Sequence, residues 1–315
     1  MKKEEFDFYN MTSLKSYNLD EQIRYQLSIL DGLDAFTRKH CEHVANLTCR
    51  LCEYLGLDKG FTVYCTICAY LHDVGKIFIP PAVLQKPCKL TPEEYEIMKT
   101  HTTIGYKMCI KDKALRPYAA GTLYHHEALN GTGYPNGVTA KDIPYEAQII
   151  RVADEYDAIT SKRQYKTHIG TVDTLKILID ETKSEAPKSL SLNPKTLSEK
   201  AFYGKIDKKI LRALFKVCYD DVQYEISARI NYVEFLKKDL KRMSKALTYY
   251  KKMEASILPH KKEYYKEYAK AYLVNNEKVE LIPDIYNQMK ESLFTREQHI
   301  QKLYIEAKDI KNLKI

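Results

Sequence analysis

Apolar residues recur at intervals of three and four positions along most of the chain, which is the spacing of one face of an α-helix. The segment KIFIPPAVLQKPCKL interrupts this pattern with three prolines and predicts an irregular connection. A Gly-rich loop is expected at 131–137. The predicted helices run from Leu19 into the low thirties, from His40 to Leu55, over 61–74, from a capping box at Thr91 through Gly105, from Tyr118 to Leu129 and from Pro144 to Ile159.

The pattern changes in the last third of the chain. A polar segment at 182–206 predicts a loop or insertion, and a short helix is expected from Ile206 to Cys218. Beyond about 222, apolar positions between Lys and Glu predict a long amphipathic helix that ends at Pro259. Further helices are expected at Tyr264–Leu273 and from Pro283 to about Leu313. The chain is therefore predicted to be all-α.

Three parts are predicted along the chain: an N-terminal lead at 1–19, a catalytic domain at 20–220 and a helical extension at 221–315. Two interpretations of the extension stay open. Its helices either pack on each other or on the main domain, or form a coiled-coil dimer or a partner-binding surface.

Composition excludes some classes of protein. A chain of 315 residues with 44% apolar residues is neither disordered nor membrane-spanning in character, and no run approaches about 18 uninterrupted apolar positions. The N-terminus lacks the apolar core of a secretory signal, so a cytoplasmic protein is expected. The net charge of +8 favours an anionic partner, namely a nucleotide, a nucleic acid or a membrane surface.

Two cysteine pairs have the spacing of a zinc ribbon. Cys49 and Cys52 form one pair, and Cys65 and Cys68 form the other. Both pairs lie inside helix-like apolar runs, whereas zinc knuckles need tight turns between the thiolates. Small buried core residues on adjacent helices are the favoured interpretation.

Histidine and aspartate residues form the main candidate site. Two adjacent doublets, His72-Asp73 and His125-His126, can address two points a few ångströms apart, as a two-metal site requires. Imidazole suits iron, manganese, cobalt or zinc, and a carboxylate can bridge two cations. Asp73 is the natural bridge and Asp154 is a second carboxylate. Asp157 lies one turn later on the same helix face and can hold a ligand imidazole.

The segments LHDVGKIFIP, MKTHTTIG, HHEALNGTGYPNG, RVADEYDA and RQYK occur in this order and resemble the HD-GYP family of metal-dependent cyclic di-GMP phosphodiesterases. The resemblance covers roughly 20–220 and includes His72, Asp73, Gly133, Tyr134 and Pro135. It implies an all-α HD-domain helical bundle with metals held between helices. It also implies hydrolysis of a 3′,5′-phosphodiester by a hydroxide that two metals activate.

Carried over residue by residue, the resemblance implies two divalent metals, with iron or manganese expected. One would be bound by His40, His72, Asp73 and Asp154, and the other by Asp73, His101, His125 and His126. His43 falls where the family usually has a basic residue. Phe36 stands where some members have a Glu that holds a third metal.

Substrate contacts follow from the same resemblance. Lys76 would contact and stabilise a phosphate, and Tyr134 would stack on or border a guanine in the loop of Gly133 and Pro135. Arg163 and Lys166 match positions that hold the phosphates and base of the nucleotide.

The chain departs from the common pattern at Ala128 and Leu129, where many members have Arg and Trp. This departure can change the nucleotide preference. Three other functions remain as alternatives to cyclic di-GMP hydrolysis. They are an HD phosphohydrolase acting on another nucleotide, a cyclic-dinucleotide sensor that signals through the helical extension, and a nucleic-acid binder. The last is disfavoured because the first half of the chain shows no basic stripe with interleaved aromatic residues.

Overall fold

The computed structural model describes residues 27–161, 169–183, 204–274 and 277–314. These residues form α-helices joined by turns and short 3-10 helices, and no β-strand occurs among them. The all-α prediction is confirmed. The α-helices are α1 Ala35–Tyr54, α2 Lys59–Leu71, α3 Pro81–Leu84, α4 Pro92–Lys99, α5 His101–Lys111, α6 Ala119–Tyr124, α7 Tyr145–Thr160, α8 Thr171–Glu181, α9 Lys208–Glu254, α10 Pro259–Lys270 and α11 Ile282–Asn312.

Side-chain caps explain where several helices begin. Asp34 accepts hydrogen bonds from the backbone N–H groups of Phe36 and Thr37, so α1 begins at Ala35 rather than at His40. The predicted capping box at Thr91 is confirmed, with the Thr91 hydroxyl and the Glu94 carboxylate each accepting from the other residue's backbone. Caps of this kind satisfy N–H groups that the first helical turn leaves without partners.

Several predicted helix boundaries were wrong. The helix expected from Thr91 through Gly105 is broken at Thr100 into α4 and α5, and the helix expected to reach Leu129 ends at Tyr124. The Pro-rich connection is not wholly irregular, because it contains a 3-10 helix at Val74–Phe78 and α3, whose first residue is Pro81.

Three further predictions concern segments near the ends of the described ranges. The first part of the helix predicted from Leu19 lies outside the described residues, and its last part is a 3-10 helix at Leu27–Gly32. Most of the polar segment at 182–206 also lies outside the described residues. The short helix expected to end at Cys218 is instead the beginning of α9, which continues to Glu254. The change in the spacing of apolar and charged residues near 222 therefore lies within one helix and marks no helix boundary.

The chain divides into two compact units, residues 1–218 with 313–315, and residues 219–312. In the first unit α1 packs against α2 and α7, and the 3-10 helix Val74–Phe78 packs against α5. A Cβ on Gly75 would overlap the carbonyl oxygen of His101 and lie 2.6 Å from the backbone nitrogen of Gly105. Glycine at position 75 therefore lets the segment after Asp73 approach the helix that carries His101.

The second unit has its own apolar core. Met243 and Ala246 of α9 pack with Ala269 of α10 and Ile282 of α11. Many large apolar side chains of this unit nevertheless remain exposed, among them Phe235 and Phe294. The role of these helices and the domain limits drawn from the sequence stay predictions.

The two cysteine pairs are buried, as the core interpretation predicted. No group of metal-ligating side chains among the described residues includes them. No helix within the described ranges is both long and apolar enough to cross a membrane.

Candidate metal centre

Asp73 lies between two groups of histidines. Its Oδ2 atom is 3.4 Å from His72 Nε2 and 3.7 Å from His40 Nε2. Its Oδ1 atom is 3.3 Å from His101 Nε2 and 3.9 Å from His125 Nε2. Each carboxylate oxygen therefore faces a different pair of imidazoles, and the side chain is almost fully buried.

Three of these histidines are oriented in the same way, by carbonyl groups at the end of the preceding helix. His72 Nδ1 lies 2.6 Å from the carbonyl oxygen of Ala69, and His101 Nδ1 lies 2.7 Å from that of Met98. His125 Nδ1 lies about as close to the carbonyl oxygens of Gly121 and Thr122, at 3.1 and 3.0 Å. Because a carbonyl oxygen only accepts, each Nδ1 carries the ring proton and each neutral ring leaves Nε2 as a bare lone pair.

The bare nitrogens converge without protons between them. His101 Nε2 and His125 Nε2 are 3.2 Å apart, although neither can donate to the other when both rings are neutral. His72 Nε2 and Asp73 Oδ1 are buried and have no hydrogen-bond partner. Buried acceptors that face one another are costly unless a cation binds them, so the residues fit divalent metals.

The described residues contain two groups whose ligand atoms lie within 4.8 Å of one another, His40 with His72 and Asp73, and His101 with His125 and His126. Each group could hold one metal ion. Asp154 lies beside the first group, with its Oδ1 3.0 Å from His40 Nε2 and 3.8 Å from His72 Nε2. Its Oδ2 lies 3.8 Å from His126 Nδ1, so Asp154 also faces the second group.

Asp157 orients His40 from the side away from Asp73. Its Oδ2 is 2.6 Å from His40 Nδ1, while its Oδ1 is 3.3 Å from Nδ1 of the half-exposed His43. Burial lowers the pKa of His40, but its hydrogen bonds with Asp154 and Asp157 outweigh that effect and raise the pKa to about 9. The contact between His43 and Asp157 was not foreseen from the sequence.

The other charges in the centre are set by burial and by each other. Burial opposes ionisation of Asp73, yet the charge of Lys76 and the neighbouring histidines hold the pKa of Asp73 well below its ordinary value. Burial lowers the pKa of His101 to about 4, despite the favourable charge of Asp73. At neutral pH the second histidine group is therefore neutral and both carboxylates are ionised, which suits cation binding, whereas His40 must first lose its proton.

The loop with Gly133, Tyr134 and Pro135 lies against the second histidine doublet. The Tyr134 ring stacks on the His126 ring, with centroids 4.7 Å apart, and the Tyr134 N–H donates to the His126 carbonyl oxygen. A Cβ on Gly133 would overlap the backbone of His126 and Ala128, so only glycine permits this approach. The Tyr134–Pro135 peptide bond is cis.

Two residues that hold this loop were missed in the sequence. The buried carboxylate of Glu127 accepts from the backbone N–H groups of Asn136, Gly137 and Val138. The Arg151 Nη1 atom donates to the carbonyl oxygens of His126 and Glu127. An acid directly after the doublet and an Arg one turn before Asp154 were the only sequence signals for these roles.

A protein-family model described as HD domain matches residues 24–186, which is more than half of the chain. The chain belongs to the HD domain family. The HD-GYP assignment made from the sequence is also confirmed, because curated cyclic di-GMP phosphodiesterases are among its relatives. The His72-Asp73 doublet lies within the matched residues, directly after α2.

The chain is similar to curated phosphodiesterases. One is a cyclic di-GMP phosphodiesterase of Thermotoga maritima, 44% identical over 44% of this chain and 40% of the relative. Another is the cyclic di-GMP phosphodiesterase response regulator RpfG of Xanthomonas campestris, 42% identical over 43% of this chain and 35% of the relative. A third is the 3'3'-cGAMP-specific phosphodiesterase 3 of Vibrio cholerae, 31% identical over 48% of this chain and 33% of the relative. The chain thus spans well under half the length of each.

The remaining predicted contacts lie around the candidate metal centre or outside the described residues. Lys76 is mostly buried and its ammonium contacts Asp73 Oδ2 directly. Arg163 and Lys166 fall outside the described residues. Ala128 and Leu129 are buried beneath the loop, and Leu129 packs on Ile143. The two departures from the family pattern are therefore apolar core positions here.

Proposed function

We propose that the chain is a metal-dependent phosphodiesterase that hydrolyses cyclic di-GMP to the linear dinucleotide, and that a second cleavage would give GMP. The main support is the position of Asp73 between two groups of histidines, with one carboxylate oxygen directed at each. The similarity to curated cyclic di-GMP phosphodiesterases supports the substrate class.

The two groups of converging side chains support the ligand sets expected from the sequence. His40, His72, Asp73 and Asp154 would hold one divalent ion, and Asp73, His101, His125 and His126 the other. We propose iron or manganese, because a mixed set of imidazole and carboxylate ligands suits both. Two such ions, when bound, would supply an activated water at neutral pH and neutralise the oxygens of a phosphodiester.

The protein residues have separate roles in this proposal. The backbone carbonyls at the ends of α2, α4 and α6 keep the Nε2 atoms of His72, His101 and His125 unprotonated and aimed at Asp73. Lys76 places a positive charge beside Asp73, where it can stabilise charge that develops on a phosphoryl group. Tyr134, stacked on His126, offers an aromatic ring for a base close to the metal ligands.

Another cyclic dinucleotide is the second candidate substrate. The relative from Vibrio cholerae is named for 3'3'-cGAMP, and this chain has apolar residues at positions 128 and 129 where many HD-GYP proteins have Arg and Trp. A panel of cyclic di-GMP, 3'3'-cGAMP and cyclic di-AMP, with products separated by chromatography, distinguishes the candidates. Binding of all three without any product would instead support a sensor.

None of the proposed metal ligands or substrate contacts lies in the second unit, residues 219–312. The sequence-based alternatives for its helices, mutual packing or a surface for a dimer or partner, stay predictions, as does the cytoplasmic location. Measurement of the molar mass in solution tests the dimer.

A further inference from the structure

Two tyrosine rings and a lysine form an open corner beside the metal centre. The rings of Tyr95 and Tyr134 have centroids 6.3 Å apart and planes at 78° to each other. The Lys99 Nζ atom lies 5.4 Å from the Tyr95 centroid and 5.8 Å from the Tyr134 centroid. Tyr95 is 47% exposed, so the corner is accessible from solvent.

The sequence explains why these three groups meet. Tyr95 and Lys99 lie four residues apart on α4, which places both on one helix face. The third member, Tyr134, is held in position by its stack on His126 and by its backbone hydrogen bond to the same residue. Tyr134 therefore connects the corner directly to His126, a proposed metal ligand.

We propose that this corner binds one base of the substrate and that Lys99 makes it prefer guanine to adenine. The inference rests on the proposed function, since it assigns a subsite of the same active centre. A flat purine can stack on one tyrosine ring and meet the edge of the other. An ammonium group can donate to guanine N7 and O6, whereas adenine presents an amino donor in place of O6.

The charges around Lys99 allow this role. Its Nζ lies 2.6 Å from an Oε1 of Glu96, whose side chain is 69% exposed. An ion pair with so exposed a partner is weak, so a base that offers two acceptors can compete for the ammonium at little cost. The nearby aromatic faces keep the lysine in place, because they attract a cation.

Steady-state kinetics of the full chain with cyclic di-GMP and cyclic di-AMP test the proposal. Tyr95→Leu should raise the KM for cyclic di-GMP about tenfold with a smaller change in kcat, because it removes a stacking surface. Lys99→Met should lower the ratio of kcat/KM for cyclic di-GMP to that for cyclic di-AMP about tenfold, the usual effect of one good base contact. Lys99→Arg should retain most of the preference.

Matched controls separate this subsite from general effects. Lys107→Met removes an exposed lysine from the next helix, α5, and Tyr224→Leu removes a tyrosine that is 72% exposed in the second unit. Both should behave like the unsubstituted protein. Unchanged KM and base preference in both Tyr95→Leu and Lys99→Met would overturn the subsite alone. A metal-loaded unsubstituted protein that turns over no cyclic dinucleotide would overturn the proposed function and the subsite together.

Discussion

The Nε2 atoms of His101 and His125 lie 3.2 Å apart, and the Nδ1 atom of each ring donates its proton to a backbone carbonyl. Two lone pairs held this close in a buried site predict a cation between or beside them. His125→Ala should therefore reduce the metal content by about one ion per chain. Metal analysis of the purified protein measures this effect.

Activity should fall with the metal in the same variant. We expect a loss of at least about 100-fold, because even residues that only orient metal ligands cost 10- to 100-fold when they are replaced. His299→Ala, at an exposed histidine of α11, is the control and should keep both metal and activity. Full metal content in His125→Ala would contradict the assignment of this ligand.

Lys76 should affect the reaction without being needed for metal binding. Its ammonium contacts Asp73 Oδ2, an oxygen that is also proposed to bind metal. Lys76→Met should lower kcat by about 100-fold or more, the typical loss of one group that stabilises transition-state charge, while the metal content is kept. Loss of both metals together with the activity would show that Lys76 supports the ligands instead.

Metal binding should depend on pH through His40. The metal-free protein holds a proton on His40 up to about pH 9, so binding at neutral pH must release that proton. The apparent metal affinity should rise about tenfold per pH unit between about 7 and 9. Calorimetry in buffers with different ionisation enthalpies counts the released proton.

Asp157→Asn provides the comparison for that experiment, because it removes one carboxylate that raises the pKa of His40. Proton release near pH 8 should then shrink.

The hydrogen bonds that raise the pKa of His40 also stabilise the metal-free fold. That contribution is complete below pH 6.5, the ordinary pKa of histidine, and is lost as the pH rises through about 9. An unsubstituted His40 that titrates near 6.5 would contradict this account.

Glycine should be required at position 133 for steric reasons. Gly133→Ala would place a methyl group into the backbone of His126 and Ala128 and should cost about 1–3 kcal/mol, or more if the loop cannot shift. Gly170→Ala is a suitable control, since a Cβ there meets no atom within 4 Å. Urea unfolding and the KM for cyclic di-GMP measure the two consequences. Equal stability of the two variants would refute the close approach.

Sequence patterns predicted the helical class because the apolar spacing in α1, α2 and α7 follows the faces that are buried. They failed at helix ends that tertiary contacts decide. From Thr122 to Leu129 the sequence contains no Pro or Gly that would predict a helix end. The helix ends at Tyr124, and the His125 side chain then binds carbonyls of its last turn.

For the candidate site, the sequence predicted which residues take part but not how they are held in place. Motif order identified His72 and Asp73 as members of the proposed centre, with Asp73 between two metals, but spacing could not show which oxygen of Asp73 faces which ring. Glu127 escaped notice because its partners are backbone N–H groups, which have no sequence signature. The corner of Tyr95 and Tyr134 joins residues that are distant in sequence, and it was found only in three dimensions.

Asp73 is proposed to contribute a ligand to each of two metal ions in an active phosphodiesterase. The most direct test combines metal analysis and product identification on one anaerobic preparation, with Asp73→Asn prepared in parallel. We predict about two iron or manganese ions per chain and conversion of cyclic di-GMP to the linear dinucleotide for the unsubstituted protein, and loss of both metal and product for Asp73→Asn. Substantial turnover by metal-depleted Asp73→Asn would contradict the account.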